Sequence, residues 1–233
     1  MSTPSRKPTI VVDAVLLDMD GTLLDSTPGL EKAWATFCSD YNLGDPAVVV
    51  HETHGRRLYD TLKEYCSIND EAKLQAEMDR FEEEVINGGP VVLPGVLDLL
   101  AQLSSNETRL GWTIVTSATE NYAPRALERC AIPLPRAGIV TSSDVSHGKP
   151  HPAPYLAGAG KCGADPKKCL VVEDAISGMR SGRAAGALVL AVCTSTSRET
   201  IVKSDATPDY IVTDLSKVSA RWTNGKVEIT IEE

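Results

Sequence analysis

With 233 residues, 42% hydrophobic and 24% charged, the chain is long enough for a full core and too apolar to be disordered. Its formal charge, 23 basic against 32 acidic side chains for −9, argues against non-specific binding to nucleic acid or an anionic membrane. Any anionic substrate must then be held by a local positive site. The six cysteines (Cys38, Cys66, Cys130, Cys162, Cys169 and Cys193) are scattered, with no CxxC pair, and read as reduced, mostly buried small side chains. Residues 1–8 are polar and carry no apolar leader core, and no run is long enough to span a membrane, so a cytoplasmic location is expected.

Short, β-rich apolar runs recur along the chain. Residues 10–12 and 15–17 lead to Asp18. Residues 28–86 then carry no buried strand: Leu30, Ala33, Trp34, Phe37, Cys38 and Tyr41 fall at helical spacing, as do Leu74, Met78, Phe81 and Val85. Asn87, Gly88, Gly89 and Pro90 close this helical block as a turn or hinge. Pro94 opens a helix carrying Val96, Leu97, Leu100 and Leu103. Further strands follow at 112–115, 138–140, 170–172, 188–192 and 210–212, most separated by helical patterns. Near-continuous apolar strands alternating with helices predict an α/β fold with a parallel sheet covered on both faces. Asn224 and Gly225 predict a hairpin turn before the alternating Val227, Ile229 and Ile231, as a small edge ribbon.

In an open parallel sheet, ligands bind outside the carboxyl ends of the strands. There the sequence delivers Asp18, Asp20 and Gly21, then Thr116 and Ser117, then Lys149, then Glu173 and Asp174. Carboxylates gathered on one rim repel one another unless a cation joins them. With oxygen donors and no histidine or cysteine set at matching spacing, Mg²⁺ fits better than zinc. A lysine beside the same site suits a phosphoryl oxygen. Asp18, facing the site, can attack phosphorus; Asp20 can turn back over the site, protonate the leaving oxygen and then activate water.

These motifs resemble those of the haloacid dehalogenase superfamily, in order and in spacing, from about residue 15 to 214. The resemblance implies a Rossmann-like core of residues 1–27 and 88–233, with a helical cap of residues 28–87 inserted after the first strand. It implies Asp18 as nucleophile and metal ligand, and Asp20 as general acid/base that offers its backbone carbonyl to the metal. Asp174 would be a direct metal ligand with Glu173 beside it, and Ser117, the Ala118 N–H and Lys149 would bind the phosphoryl group. The segment from Thr53 to Asp60 resembles the cap of fungal glycerol-3-phosphatases and 2-deoxyglucose-6-phosphatases, with Gly55-Arg56-Arg57 departing from their pattern. In such enzymes the cap loop reads the leaving group, which here assigns substrate binding to His54 and Arg57.

The expected function is hydrolysis of a small sugar or polyol phosphate monoester through an aspartyl-phosphate, with Mg²⁺ as cofactor. The expected partner is a small phosphorylated metabolite, and the protein a monomer or weak dimer. A phosphomutase of the β-phosphoglucomutase type, and a phosphatase of a secondary-metabolite ester, are the alternatives. Among the other polar residues, Arg56 reads as exposed and His51 as structural or surface. His147 and His151 read as loop packing around Lys149. Asp25 and Ser26 read as capping or turn residues, and Glu82, Glu83 and Glu84 as a solvated helix face.

Overall fold

The computed structural model describes residues 8–232. It begins with strands β1 (Thr9–Val12), β2 (Ala14–Leu17) and β3 (Leu24–Asp25). Helices α1 (Thr27–Tyr41), α2 (Pro46–Thr53), α3 (Leu58–Tyr65) and α4 (Glu71–Asn87) follow in one block. The chain returns through β4 (Val91–Val92), α5 (Val96–Ser104), β5 (Trp112–Val115), α6 (Tyr122–Arg129) and β6 (Ile139–Val140). It ends with α7 (Ala153–Lys161), β7 (Cys169–Glu173), α8 (Ile176–Ala184), β8 (Leu188–Val192), α9 (Arg198–Lys203), β9 (Tyr210–Val212), β10 (Val218–Thr223) and β11 (Lys226–Ile231).

Six strands form one parallel sheet in the order β6-β5-β2-β7-β8-β9. All four residues of β2 and of β5, and all five of β7, are buried, as their unbroken apolar runs require when helices cover both faces. The chain winds outward from β2 in both directions, so the switch point, where ligands bind in such sheets, lies at the carboxyl end of β2. That end is Asp18. The expected fold class is borne out.

The hairpin at Asn224 and Gly225 is present, both residues having positive φ. It forms more than an edge ribbon: β1 pairs antiparallel with β11, giving a separate three-stranded sheet, β1-β11-β10. Residues 10–12 therefore do not join the parallel sheet. Val227, Ile229 and Ile231 alternate inward from β11. Trp222 clamps this sheet to α5, its indole N–H donating to the Leu103 carbonyl at 2.9 Å.

The helical block has its own apolar centre. Phe81 meets Trp34 and Phe37 edge to face, with ring centroids 5.0 and 5.1 Å apart. Of the residues expected at helical spacing, Ala33, Trp34, Phe37, Cys38, Leu74, Met78, Phe81 and Val85 are buried, and Leu30 and Tyr41 are half-buried. A feature absent from the sequence reading joins the block to the sheet: β3 and β4 pair antiparallel, Leu24 with Val92 and Asp25 with Val91. The outgoing and returning chains thus run side by side. All six cysteines are free, four of them buried.

Candidate active site

β2 delivers Asp18, whose N–H donates to the Val172 carbonyl of β7 at 3.0 Å. The chain then turns sharply, the Met19 carbonyl accepting the N–H groups of Thr22, Leu23 and Leu24. Gly21 sits in this turn at φ +86°, and a Cβ there would lie 2.1 Å from Asp174 Oδ2. Only glycine lets the turn close over Asp174.

Asp174 is fully buried. Its Oδ1 accepts from Thr22 Oγ1 at 3.1 Å, and its Oδ2 bonds His54 Nε2 at 2.8 Å. Lys149 arrives from the loop after β6. Its Nζ donates to Asp18 Oδ1 and to Glu173 Oε1, the latter at 2.6 Å. Glu173 Oε1 also accepts from Tyr155 at 2.7 Å, and Oε2 from the N–H groups of Asp174 and Ala175 at 3.1 Å each. Those four bonds use the full acceptor capacity of a carboxylate. Glu173 is therefore committed to holding Lys149 and the strand end, and Asp18 and Asp174 have the spare capacity to meet a ligand.

Oxygens of Asp18, Glu173 and Asp174 lie within 4.8 Å of one another. Burial and the charge of Glu173 raise the Asp18 carboxyl well above the usual range, against the pull of Lys149. Burial also raises Asp174, but the bond and charge of His54 outweigh it and hold that carboxyl low. For His54 burial favours the neutral ring, yet the bond to Asp174 and the surrounding carboxylates push it up to about 9. Lys149 stays charged, because Asp18 and Glu173 outweigh its own burial. Three carboxyl groups and two cationic side chains thus share one buried hard-oxygen cluster, which suits a small divalent ion.

Asp20 lies beside this cluster and accepts from the Tyr122 hydroxyl at 2.9 Å. Burial raises its carboxyl, opposed by hydrogen bonds from Ser26 and Tyr122. Among the sequence-selected phosphate binders, Ser117 points at the helical block, donating to the Gly55 carbonyl at 3.0 Å. The Ala118 N–H donates to Thr116 Oγ1 at 3.0 Å.

The loop between α2 and α3 carries residues 54–57 onto the sheet rim. Gly55 has φ +70°, and a Cβ there would come within 2.5 Å of Ala175 Cβ, so glycine permits the contact. His54 is brought to the site as expected. Arg57 is not brought into the cleft beside Asp18: its guanidinium pairs with Asp60 at 2.9 Å and donates to the Val145 carbonyl at 3.2 Å. Arg56, expected to be exposed, lines the cleft while bonding Glu64. Arg57 stands at the N-terminal boundary of α3, where Asp60 one turn on captures its guanidinium. His147 and His151 stack on each other, with ring centroids 4.6 Å apart, outside the cleft.

The cleft is a cavity of about 120 Å³ between Asp18, Asp20 and Ser117 on one side and Leu30, Trp34, Leu58, Phe81 and Val85 on the other. Glu82 also lines it, and is not the solvated residue expected: it is 7% exposed. It accepts from the Thr119 N–H at 3.2 Å and from Thr119 Oγ1 at 2.5 Å. Burial pushes its carboxyl up to about 7. The signal was spacing, since position 82 stands four after Met78 and three before Val85, on the buried stripe. Asp25 does serve its expected turn role, accepting from the Thr27 N–H at 2.9 Å.

An aspartate at the end of the first parallel strand opens into this cleft, and a lysine from a loop and an acidic pair at the end of the neighbouring strand stand beside it, which together define a hydrolase of one family. Residues 15–192 match the family model described as haloacid dehalogenase-like hydrolase, and the chain belongs to that family. It is 38% identical to hexitol phosphatase A of Escherichia coli (strain K12) over 76% of this chain and 81% of that protein. It is 32% identical to glycerol-1-phosphate phosphohydrolase 2 of Saccharomyces cerevisiae, over 84% and 80% of the two chains. It is 29% identical to 2-deoxyglucose-6-phosphate phosphatase 1 of the same yeast, over 91% and 92%. The fold superposes with a TM-score of 0.76 on a crystal structure of a hydrolase from Pseudomonas syringae, 26% identical over 87% of this chain and 94% of that one. The expected family and enzyme class are borne out, the named relatives being phosphatases. No helix among the described residues is long and apolar enough to cross a membrane.

Proposed function

We propose that the chain is a Mg²⁺-dependent phosphatase of neutral sugar or polyol phosphate monoesters, built as a core of residues 1–27 and 88–233 and a cap of residues 28–87. The observation that carries this reading is the cleft: Asp18 and Asp20 open into it, and its lining cations, His54 and Arg56, are already bonded to Asp174 and Glu64. No uncommitted cation among the lining residues awaits a second phosphate or a carboxylate on the leaving group. The names of the hexitol, glycerol and deoxyglucose phosphatases among its relatives support the same class.

Asp18 is the nucleophile. One carboxylate oxygen bonds phosphorus, the bond to the ester oxygen breaks, and that oxygen takes the proton of Asp20 as the alcohol leaves. Asp20, now ionised, accepts a proton from water as the water oxygen attacks phosphorus, which releases phosphate and restores Asp18. Lys149 and Ser117 hold the non-bridging oxygens, Ser117 giving up its bond to Gly55 to do so, and the Ala118 N–H adds a donor. Asp18, Asp174 and the Asp20 carbonyl would hold Mg²⁺, with Glu173 behind them. Bound there, the ion neutralises charge on the transferring group. Trp34 and Phe81 line the cleft on the side of the inserted helices.

The test is phosphate release from glycerol 1-phosphate, sorbitol 6-phosphate, 2-deoxyglucose 6-phosphate, phosphoglycolate and pyrophosphate, with and without EDTA. Chelation should abolish turnover and Mg²⁺ restore it, and the esters of neutral alcohols should exceed the two competitors that carry a further anionic group by at least about tenfold in kcat/KM. Preference for phosphoglycolate or pyrophosphate would reject the substrate class. Isomerised sugar phosphate without free phosphate, followed by ³¹P NMR, would replace the phosphatase by a mutase.

A further inference from the structure

One hydroxyl and one carboxylate near the cleft are not used by the mechanism above. Tyr122 is the first residue of α6 and is 4% exposed. Its phenol donates to Asp20 Oδ1 at 2.9 Å, and Ser26 lies within hydrogen-bonding distance of both groups. Glu82, on α4, is the second. It takes both donors of Thr119, and Thr119 Oγ1 in turn accepts the Tyr122 N–H at 3.2 Å. Asn121 makes no side-chain cap for α6, so this threonine hydroxyl does that work at the first turn. The path from the inserted helices to the acid is continuous: Glu82, Thr119, Tyr122, Asp20.

We propose that Tyr122 is a positioning residue for the leaving-group acid Asp20, and that Glu82 of the cap secures it through Thr119. The inference rests on the functional reading above, in which Asp20 protonates the ester oxygen. A carboxylic acid has two oxygens, and only the one facing the leaving group is useful as donor. A phenol O–H lies in its ring plane and donates more readily than it accepts, so its bond marks Asp20 Oδ1 as the acceptor. The proton is left on Oδ2. Fixing the ring fixes the carboxyl plane, and Phe81 and Val85 on α4 flank the same cleft wall as Glu82. Because the grip on Thr119 comes from α4, the acid is fully aligned only with the cap seated on the core. An enzyme built this way protonates the leaving group after the substrate is enclosed, when a stray proton transfer to water is least available.

Leaving-group chemistry separates positioning of an acid from general support of the fold. p-Nitrophenolate departs without protonation, whereas an alkoxide requires it. Tyr122→Phe keeps the ring and its packing. It should lower kcat for sorbitol 6-phosphate by about tenfold to a hundredfold, and lower kcat for p-nitrophenyl phosphate at least about tenfold less than that. KM should move little for either. In an Asp20→Asn background the same change should add less than about twofold, since the group it aligns is gone. Equal losses on the two substrates, or a full additional loss on top of Asp20→Asn, would overturn the role of Tyr122. Glu82→Ala should reproduce the asymmetry at smaller size, and Glu82→Gln, which retains an acceptor for the Thr119 N–H, should recover part of it. If Glu82→Ala shifts only KM, the link to the cap is wrong. A parent enzyme that releases no phosphate from either ester rejects the functional reading itself, a different result from equal losses in an active one.

Discussion

The two walls of the cleft are built on opposite principles. The sheet rim is a network of charges: Lys149 between Asp18 and Glu173, Asp174 between Thr22 and His54. Its side chains hang from strand ends and from a loop, and the parallel pairing of β2 with β7 sets the register of Asp18 beside Glu173. The helical wall opposite carries an apolar surface of Leu30, Trp34, Leu58, Phe81 and Val85, with Thr27, Thr53, His54, Arg56, Thr61 and Glu82 set among and around it. Charge networks are intolerant, because one lost partner leaves a buried ion unpaired. Apolar walls are forgiving, because volume-conserving changes are absorbed. The first kind of wall suits a fixed arrangement of charges, and the second tolerates variation in what it faces.

The sharpest way to break this contrast is Asp18→Asn. Phosphate release should fall at least about a thousandfold with circular dichroism unchanged; retained activity would remove the nucleophile. Next comes Lys149→Met, which leaves Asp18 and Glu173 facing each other across a buried site. Stability should drop by about 3–5 kcal/mol in urea unfolding, and Mg²⁺ should recover more stability in this variant than in the parent. Loss without such rescue would mean the cluster is tolerated unneutralised.

A smaller effect tests the one carboxylate of the helical wall. The Glu82 carboxyl is held near 7 in the fold against an ordinary 4.5, so the folded state keeps a proton that the unfolded chain releases. Between pH 4.5 and about 7 the parent should lose up to about 3 kcal/mol relative to Glu82→Gln, with no further change above that window. A flat difference across the window would mean Glu82 ionises normally. The smallest effects separate the two arginines. Arg56→Ala should cut kcat/KM about fivefold for sorbitol 6-phosphate and less for p-nitrophenyl phosphate, about 1 kcal/mol. Arg57→Ala should cost about 1 kcal/mol of stability and leave that substrate ratio alone. The reverse pattern would return substrate reading to Arg57.

What was legible in the sequence follows the same division. The rim could be read because parallel strands expose a fixed position at their carboxyl ends, so Asp18, Lys149, Glu173 and Asp174 announced themselves by order and type. Helical spacing likewise revealed the buried stripe from Leu74 to Val85. The orientation of neighbouring polar residues escaped, because a rotation of one residue on a helix or loop exchanges inside for outside. Arg56 lines the cleft while Arg57, the more buried of the two, turns to Asp60 and Val145, and Glu82 was misread because a run of three glutamates suggests solvent while only 82 falls on the stripe. β1 was drawn from the parallel sheet by a partner, β11, more than 200 residues away, which no local pattern could announce.

The narrow crossing at β3 and β4 has a consequence for the length of the segment it encloses. Asp25 and Val91 are paired neighbours, so everything between them is a detour that begins and ends at one spot. The sheet does not register how long that detour is. The segment can lengthen or shorten between its contacts with the rim without moving the strands, and only the few residues that reach across, His54, Gly55 and Glu82, are bound to keep their places.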